Sequence, residues 1–197
     1  MASPTSGFHN VDAGRLKGGA RAALVCAAFG SAWMYWAVAW SGHPTPLWFS
    51  TVTFLTVALT AWAVLRLRAL RHFMASPEDR KQAKAMRKFI LIDSGVEWGL
   101  ISVGALLLSR IGRPDLMPQL CGVIVGLHFL PIAKVFRLPF YYWVGGIMIV
   151  GEASSILIIR GDLRNIVGCA SVGLTLWVAS AVILFRISAA FRAPSDR

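Results

Sequence analysis

The run from Phe89 to Arg110, FILIDSGVEWGLISVGALLLSR, constrains the fold more than any other stretch of the chain. A helix needs about 20 apolar residues, each rising 1.5 Å, to cross roughly 30 Å of hydrocarbon, and this run is long enough. It nevertheless carries Asp93 and Glu97, four residues apart and so on one helical face. An acidic side chain at bilayer depth costs on the order of 3 kcal/mol on insertion scales, so two in one span point to a use. Gly95 and Gly99 form a G-x-x-x-G pattern on the opposite side, a surface that a neighbouring helix can approach closely. Acids on one side and small residues on the other predict a helix at the centre of a bundle, touching little lipid.

The rest of the chain fits that setting. With 56% hydrophobic and 15% charged residues and a mean hydropathy of +0.63, it does not describe a water-soluble globule. Six apolar spans are expected, at about 20–41, 47–66, 89–109, 116–135, 140–160 and 165–187. They make one transmembrane domain over 19–188, between a polar, glycine-rich tail at 1–18, expected to be mobile, and a short tail at 189–197. Ala37-Val38-Ala39 matches a leader cleavage pattern, but the run before it is too long and carries Trp33, Tyr35, Trp36 and Trp40, so it reads as a retained first span. Between the second and third spans, Ser76-Pro77-Glu78-Asp79 reads as an N-cap, a proline at the first helical position and acids in the first turn. A helix starting there would run unbroken into the third span.

A net charge of +11 raises the question of nucleic acid. The basic residues, however, lie between apolar spans rather than along one face with interleaved aromatics, so no nucleic-acid partner is expected. Their distribution sets an orientation instead. Placing the N-terminus inside gives the inner segments 3, 8, 2 and 3 of the Lys and Arg residues, against 0, 2 and 2 in the outer links. That bias predicts cytoplasmic termini. The basic segment at 66–88 also suits anionic headgroups of membrane lipids.

With that orientation, Glu97 in the third span, His128 in the fourth and Glu152 in the fifth fall at similar mid-bilayer depth. Asp93 lies about 6 Å nearer the cytoplasm at 1.5 Å per residue. Each has polar or small neighbours on its own stripe: Cys121 seven residues before His128, and Tyr141, Gly145 and Ser155 on the face of Glu152. Pro131, which removes a backbone donor, should kink the helix beside His128. Glu97, Asp93, Glu152 and His128 are therefore the candidate proton- or ligand-binding residues. Trp33, Trp36, Trp98, Tyr141, Ser155 and Trp177 are candidate pocket-lining residues, since aromatics around a buried carboxylate suit a lipophilic cation. The plainer alternatives are bulky core filling and a carboxyl–histidine contact that merely holds helices together. No metal site is expected, because the ligand types come one per helix without H-x-x-x-H or E-x-x-H spacing. The three cysteines, Cys26, Cys121 and Cys169, read as small buried hydrophobes.

The run GLHFLPIAKVFRLPFYYWVGG at 126–146, through His128, Pro131, Phe136, Pro139 and Tyr141-Tyr142, resembles small uncharacterised bacterial polytopic membrane proteins. The resemblance covers about a tenth of the chain and implies a bacterial cytoplasmic-membrane setting, without implying an activity. The sequence contains no G-x-S-x-G, H-E-x-x-H, P-loop or C-x-x-C motif. The expected function is a small transporter-like or ligand-binding membrane protein, proton-coupled or binding a small lipophilic or cationic solute, with no cofactor. An intramembrane enzyme using a protonated Glu as general acid on a lipid or isoprenoid substrate is the alternative. An accessory subunit without a site of its own is the third reading. One chain of 197 residues is thin for alternating access, so a homodimer is expected, with Gly122 and Gly126 as a seam.

Overall fold

The computed structural model describes residues 9–42, 45–71, 77–136 and 138–192. Apolar runs with no water to satisfy their backbone must bond internally, and among the described residues all regular structure is helical. The helices are α1 (His9–Trp40), α2 (Pro46–Leu70), α3 (Pro77–Arg110), α4 (Met117–Phe136), α5 (Phe140–Ile158) and α6 (Asp162–Arg192), with a single 3-10 turn at Pro114–Leu116 before α4. All six are long and apolar enough to cross a membrane. The all-α, six-helix architecture expected from the sequence is the one observed.

Local chemistry sets the ends. Thr45 caps α2, its hydroxyl accepting from the Trp48 amide at 3.4 Å, and Pro46 occupies the first turn. Gly112 and Gly161 adopt positive φ, 70° and 66°, which stops α3 and α5 and allows short connections. α3 does run unbroken from Pro77 through the third span, while its expected cap, Ser76, lies outside the described residues. α1 begins at His9, so the second half of the expected tail is helical, and residues 1–8 lie outside the described residues. Residues 193–197 of the other tail also lie outside them. α4 passes through Pro131 without interruption.

The helices meet through small residues. α1 and α6 run antiparallel and touch at Gly30 and Gly173, where a Cβ on either would lie 3.0 Å from the other's carbonyl oxygen. Ser180 donates to the Ala23 carbonyl at 2.8 Å along the same seam. α4 and α5 cross at Gly126 and Gly145, and stacked Phe129 and Tyr141 close that interface with ring centroids 5.6 Å apart. α2 packs on α1, with Thr56 donating to Ser31 and Tyr35 bonded to Thr53, each at 2.8 Å. The core gathers Cys26, Trp33, Cys121, Phe129, Tyr141, Met148, Cys169 and Leu176 from α1, α4, α5 and α6.

α3 is not at the centre, contrary to the sequence expectation. It stands at the edge of the bundle, packed on α4 and the 3-10 turn, and no residue of its most apolar stretch is fully buried. Gly95 and Gly99 have nothing among the described residues within 4 Å of a would-be Cβ. The two acids made the helix look enclosed, but they need a partner along only one stripe, and α4 supplies it.

Candidate functional site

Two polar clusters occupy the bundle. The first lies between α3 and α4. Asp93, Glu97, Ile101 and Gly104 follow one another at helical spacing along α3, and the lower half of that stripe packs on α4: Ile101 joins the core and Gly104 meets the Leu120 side chain. Opposite the upper half stands His128. Its Nδ1 is 2.9 Å from Asp93 Oδ2 and 3.4 Å from Glu97 Oε2. Nδ1 and Asp93 Oδ2 are sealed from solvent and have no hydrogen-bond partner among the described residues, so the contact is an electrostatic approach. The three side chains are 15–17% exposed, which leaves them reachable from the helix edge. Two carboxyls around one imidazole are competing acceptors for the same protons, so the cluster is suited to binding and passing a proton.

The second cluster lies between α4, α5 and α6. Glu152 is fully buried on the face of α5 that also buries Tyr141, Val144, Gly145, Met148 and Ser155. Its carboxyl fills the space between Gly122 of α4 and Gly168 of α6, where a Cβ would lie 2.6 Å from Oε1 and Oε2 respectively. Ser155 Oγ donates to the Glu152 carbonyl at 2.8 Å and reaches Oε2 at 3.4 Å, while Oε1 has no donor among the described residues. Toward the end of the bundle lie Gln119, 0% exposed, and Asn165: Gln119 Nε2 donates to Asn165 Oδ1 at 3.1 Å and to the Arg164 carbonyl at 3.3 Å. The Arg164 guanidinium then reaches Asp115 Oδ2 at 2.5 Å.

The structure thus splits the expected constellation. Asp93, Glu97 and His128 come together, but Glu152 does not join them, and this corrects the expectation of one shared site. The expectation put Glu97, His128 and Glu152 at similar depth, but Glu152 packs at the level of Gly122, six residues and so about 9 Å along α4 from His128. His128 projects from α4 toward α3, whereas Gly122, six residues earlier and so on another face, looks toward Glu152.

The expected aromatic lining does not form one pocket either. Trp98 points away from the cluster and is 62% exposed, and Trp36 is also exposed. Trp177 is buried between α1 and α6, donating its indole N–H to Ser31 at 3.2 Å. Trp33 and Tyr141 are core residues, and Ser155 touches only Glu152 of the four candidates. Gly122 and Gly126, expected as a dimer seam, are spent inside the chain against Glu152 and Gly145.

Sequence reasoning overlooked Gln119, Asn165 and the Arg164–Asp115 pair. Gln119 carried a usable signal, since an amide inside an apolar span needs a partner just as a carboxyl does. Arg164 read as a loop charge, although its side chain is only 10% exposed. Among the described residues, no group of three or more His, Cys, Asp or Glu side chains is arranged to hold a metal ion. A groove of about 260 Å³ lies between α5 and α6, lined by Phe140, Trp143, Ile147, Leu174 and Val178, and it contains none of the candidate residues. Compared with protein families, curated proteins and solved structures, the chain matches none.

Proposed function

We propose that this chain is a small proton-exchanging, transporter-like protein of a bacterial cytoplasmic membrane, with Asp93, Glu97 and His128 as its proton-binding group. One observation carries the reading: an imidazole nitrogen lies 2.9 Å and 3.4 Å from two carboxyls in the middle of membrane-spanning helices. Ionisable side chains at that depth are expensive and mark ion or proton paths more often than they serve packing. A proton is favoured over a larger solute because the three side chains already contact one another directly. The groove of about 260 Å³ is apolar and sits elsewhere, between α5 and α6.

Glu97 and His128 exchange the proton, and Asp93, one helical turn along α3, relays it toward the end of the bundle that carries the basic 66–88 segment. The excess of Lys and Arg at that end makes it the cytoplasmic face, with both termini inside. The exposed outer stripe of α3 leaves the helix free to shift against α4 as the charge of the cluster changes.

The test uses purified protein in lipid vesicles containing a pH-sensitive dye, with a potassium diffusion potential as driving force. Wild-type protein is expected to move protons, and Glu97→Gln or Asp93→Asn to slow this at least about tenfold, a barrier change of ~1.4 kcal/mol. Helical content and monodispersity should be unchanged. Absence of protein-dependent proton movement, or wild-type rates in both variants, refutes the proposal.

A further inference from the structure

We infer that Glu152 is a second proton-binding carboxyl, distinct from the Asp93–Glu97–His128 group and wetted from the other end of the bundle through Gln119, Asn165 and the Asp115–Arg164 pair. The inference extends the proton-exchange reading above to the junction of α4, α5 and α6, and rests on it only for a role in transport.

The site is built for a carboxyl head. Two different helices present glycines to it, and a methyl group at either would collide with the acid: at Gly122 with Oε1 and Cγ, both at 2.6 Å, and at Gly168 with Oε2, also at 2.6 Å. Close glycine backbones on both sides leave a proton as the cation that fits without moving a helix. The surroundings do not support a negative charge. From α5 itself only Ser155 reaches the carboxyl, at 3.4 Å, with its hydroxyl already given to the Glu152 carbonyl at 2.8 Å. α4 and α6 present the titratable thiols of Cys121 and Cys169, both buried in the core cluster that Met148 of α5 joins. The nearest cation on these elements, Arg164, is committed to Asp115. A carboxylate with one shared hydroxyl and no counter-charge is strongly disfavoured in an apolar core, whereas a carboxylic acid is neutral and gains a donor.

The same cluster contains an acceptor waiting for a donor. Gln119 Oε1 is buried without a partner among the described residues, and Gln119 Nε2 borders the bare α-carbon of Gly168, 3.0 Å from where a Cβ would sit, beside Glu152 Oε2. From Gln119 the polar contacts continue to Asn165 and the Arg164 carbonyl, and the guanidinium at the other end of the Arg164 side chain is bonded to Asp115, whose side chain is 43% exposed. Asp115 stands at the end of the bundle opposite the chain termini, because α4 starts there and runs toward them. The two proton sites therefore open toward opposite ends.

Infrared spectroscopy of the protein in lipid films tests this without any flux. A protonated carboxyl band at neutral pH should be present in the wild type, absent in Glu152→Gln and retained in Glu97→Gln. Gln119→Met should keep the band while slowing its hydrogen–deuterium shift at least about tenfold, ~1.4 kcal/mol on the exchange barrier. Glu152→Asp, which keeps a carboxyl on a shorter stem, should keep a shifted band and guards against misfolding of the Gln variant. No band assignable to Glu152 at neutral pH overturns the inference, since the carboxyl is then ionised. A Glu152 band that vanishes in Glu97→Gln also overturns it, because the two acids then titrate as one site. Vesicles that move no protons while the band persists would refute the transport reading and leave this one standing.

Discussion

Replacing Gly145 by alanine should loosen the bundle, while the same change at Gly95 should not. In an exposed helix interior, alanine is favoured over glycine by about 0.8–1 kcal/mol. At Gly95 and Gly99 nothing among the described residues lies within 4 Å of the added methyl group, so both variants should gain up to roughly that amount. At Gly145 the new Cβ would lie 2.5 Å from the Gly126 carbonyl oxygen, 3.2 Å from Phe129 Cβ and 3.3 Å from Leu130 Cδ2. The nearest obstacle is backbone, which cannot rotate away, and carbon–oxygen contacts settle at about 3.3–3.6 Å. α4 and α5 must therefore separate by roughly 1 Å, enough to forfeit a quarter to a half of each dispersion contact along the seam. Overpacking of this kind costs about 1–3 kcal/mol, which set against the propensity gain leaves a net loss of up to about 2 kcal/mol. Reversible unfolding in mixed micelles with a rising dodecyl sulfate fraction, followed by helicity and tryptophan fluorescence, measures the difference. Equal stability of Gly145→Ala and wild type would refute the close α4–α5 crossing. A Gly95→Ala variant as damaged as Gly145→Ala would show that the outer stripe of α3 is covered.

Two further contrasts probe the bundle. Ser31 accepts from Trp177 Nε1 at 3.2 Å and from Thr56 at 2.8 Å, so Ser31→Ala should leave the buried indole N–H without an acceptor and cost about 1–3 kcal/mol; unchanged stability in the same micelle assay would exclude that hub. Trp177→Ala should lose roughly 3 kcal/mol through the cavity it opens, whereas Trp98→Ala, on the exposed face of α3, should change stability by no more than about 0.5 kcal/mol. Comparable losses in both tryptophan variants would mean that Trp98 is packed rather than facing lipid.

Several features of the fold were legible because they depend on one helix at a time. Span number follows from apolar runs of bilayer length, and the continuity of α3 from Pro77 follows from a proline in the first turn with acids behind it. The fixed rise per residue matched Glu97 with His128 before any packing was known, but it also matched Glu152 with them, and Glu152 packs against Gly122 instead. The buried face of α5 was equally readable, since Tyr141, Gly145, Glu152 and Ser155 recur at helical spacing. Which helix covers a given face is a property of pairs, and single-helix periodicity does not carry it. That is where Glu152 was assigned to the wrong cluster and α3 to the wrong place.

Small-residue patterns show the same division sharply. Gly95/Gly99 and Gly122/Gly126 are identical in spacing, and both read as surfaces for close approach. Gly126 receives the backbone of Gly145, and Gly122 receives the carboxyl of Glu152, whereas Gly95 and Gly99 receive nothing among the described residues. The spacing states only that a neighbour can come near; whether it is a helix of the same chain, an acid head or lipid is decided by what the connecting turns bring alongside. The turn at Gly161 reverses the chain so that α6 lies against α5, which sets Gly168 opposite Gly122 with Glu152 between them. The buried carboxyl thus depends on glycines in two helices, 46 residues apart in sequence as Gly122 and Gly168 are numbered. Neither glycine, taken alone, distinguishes a proton site from an ordinary helix crossing.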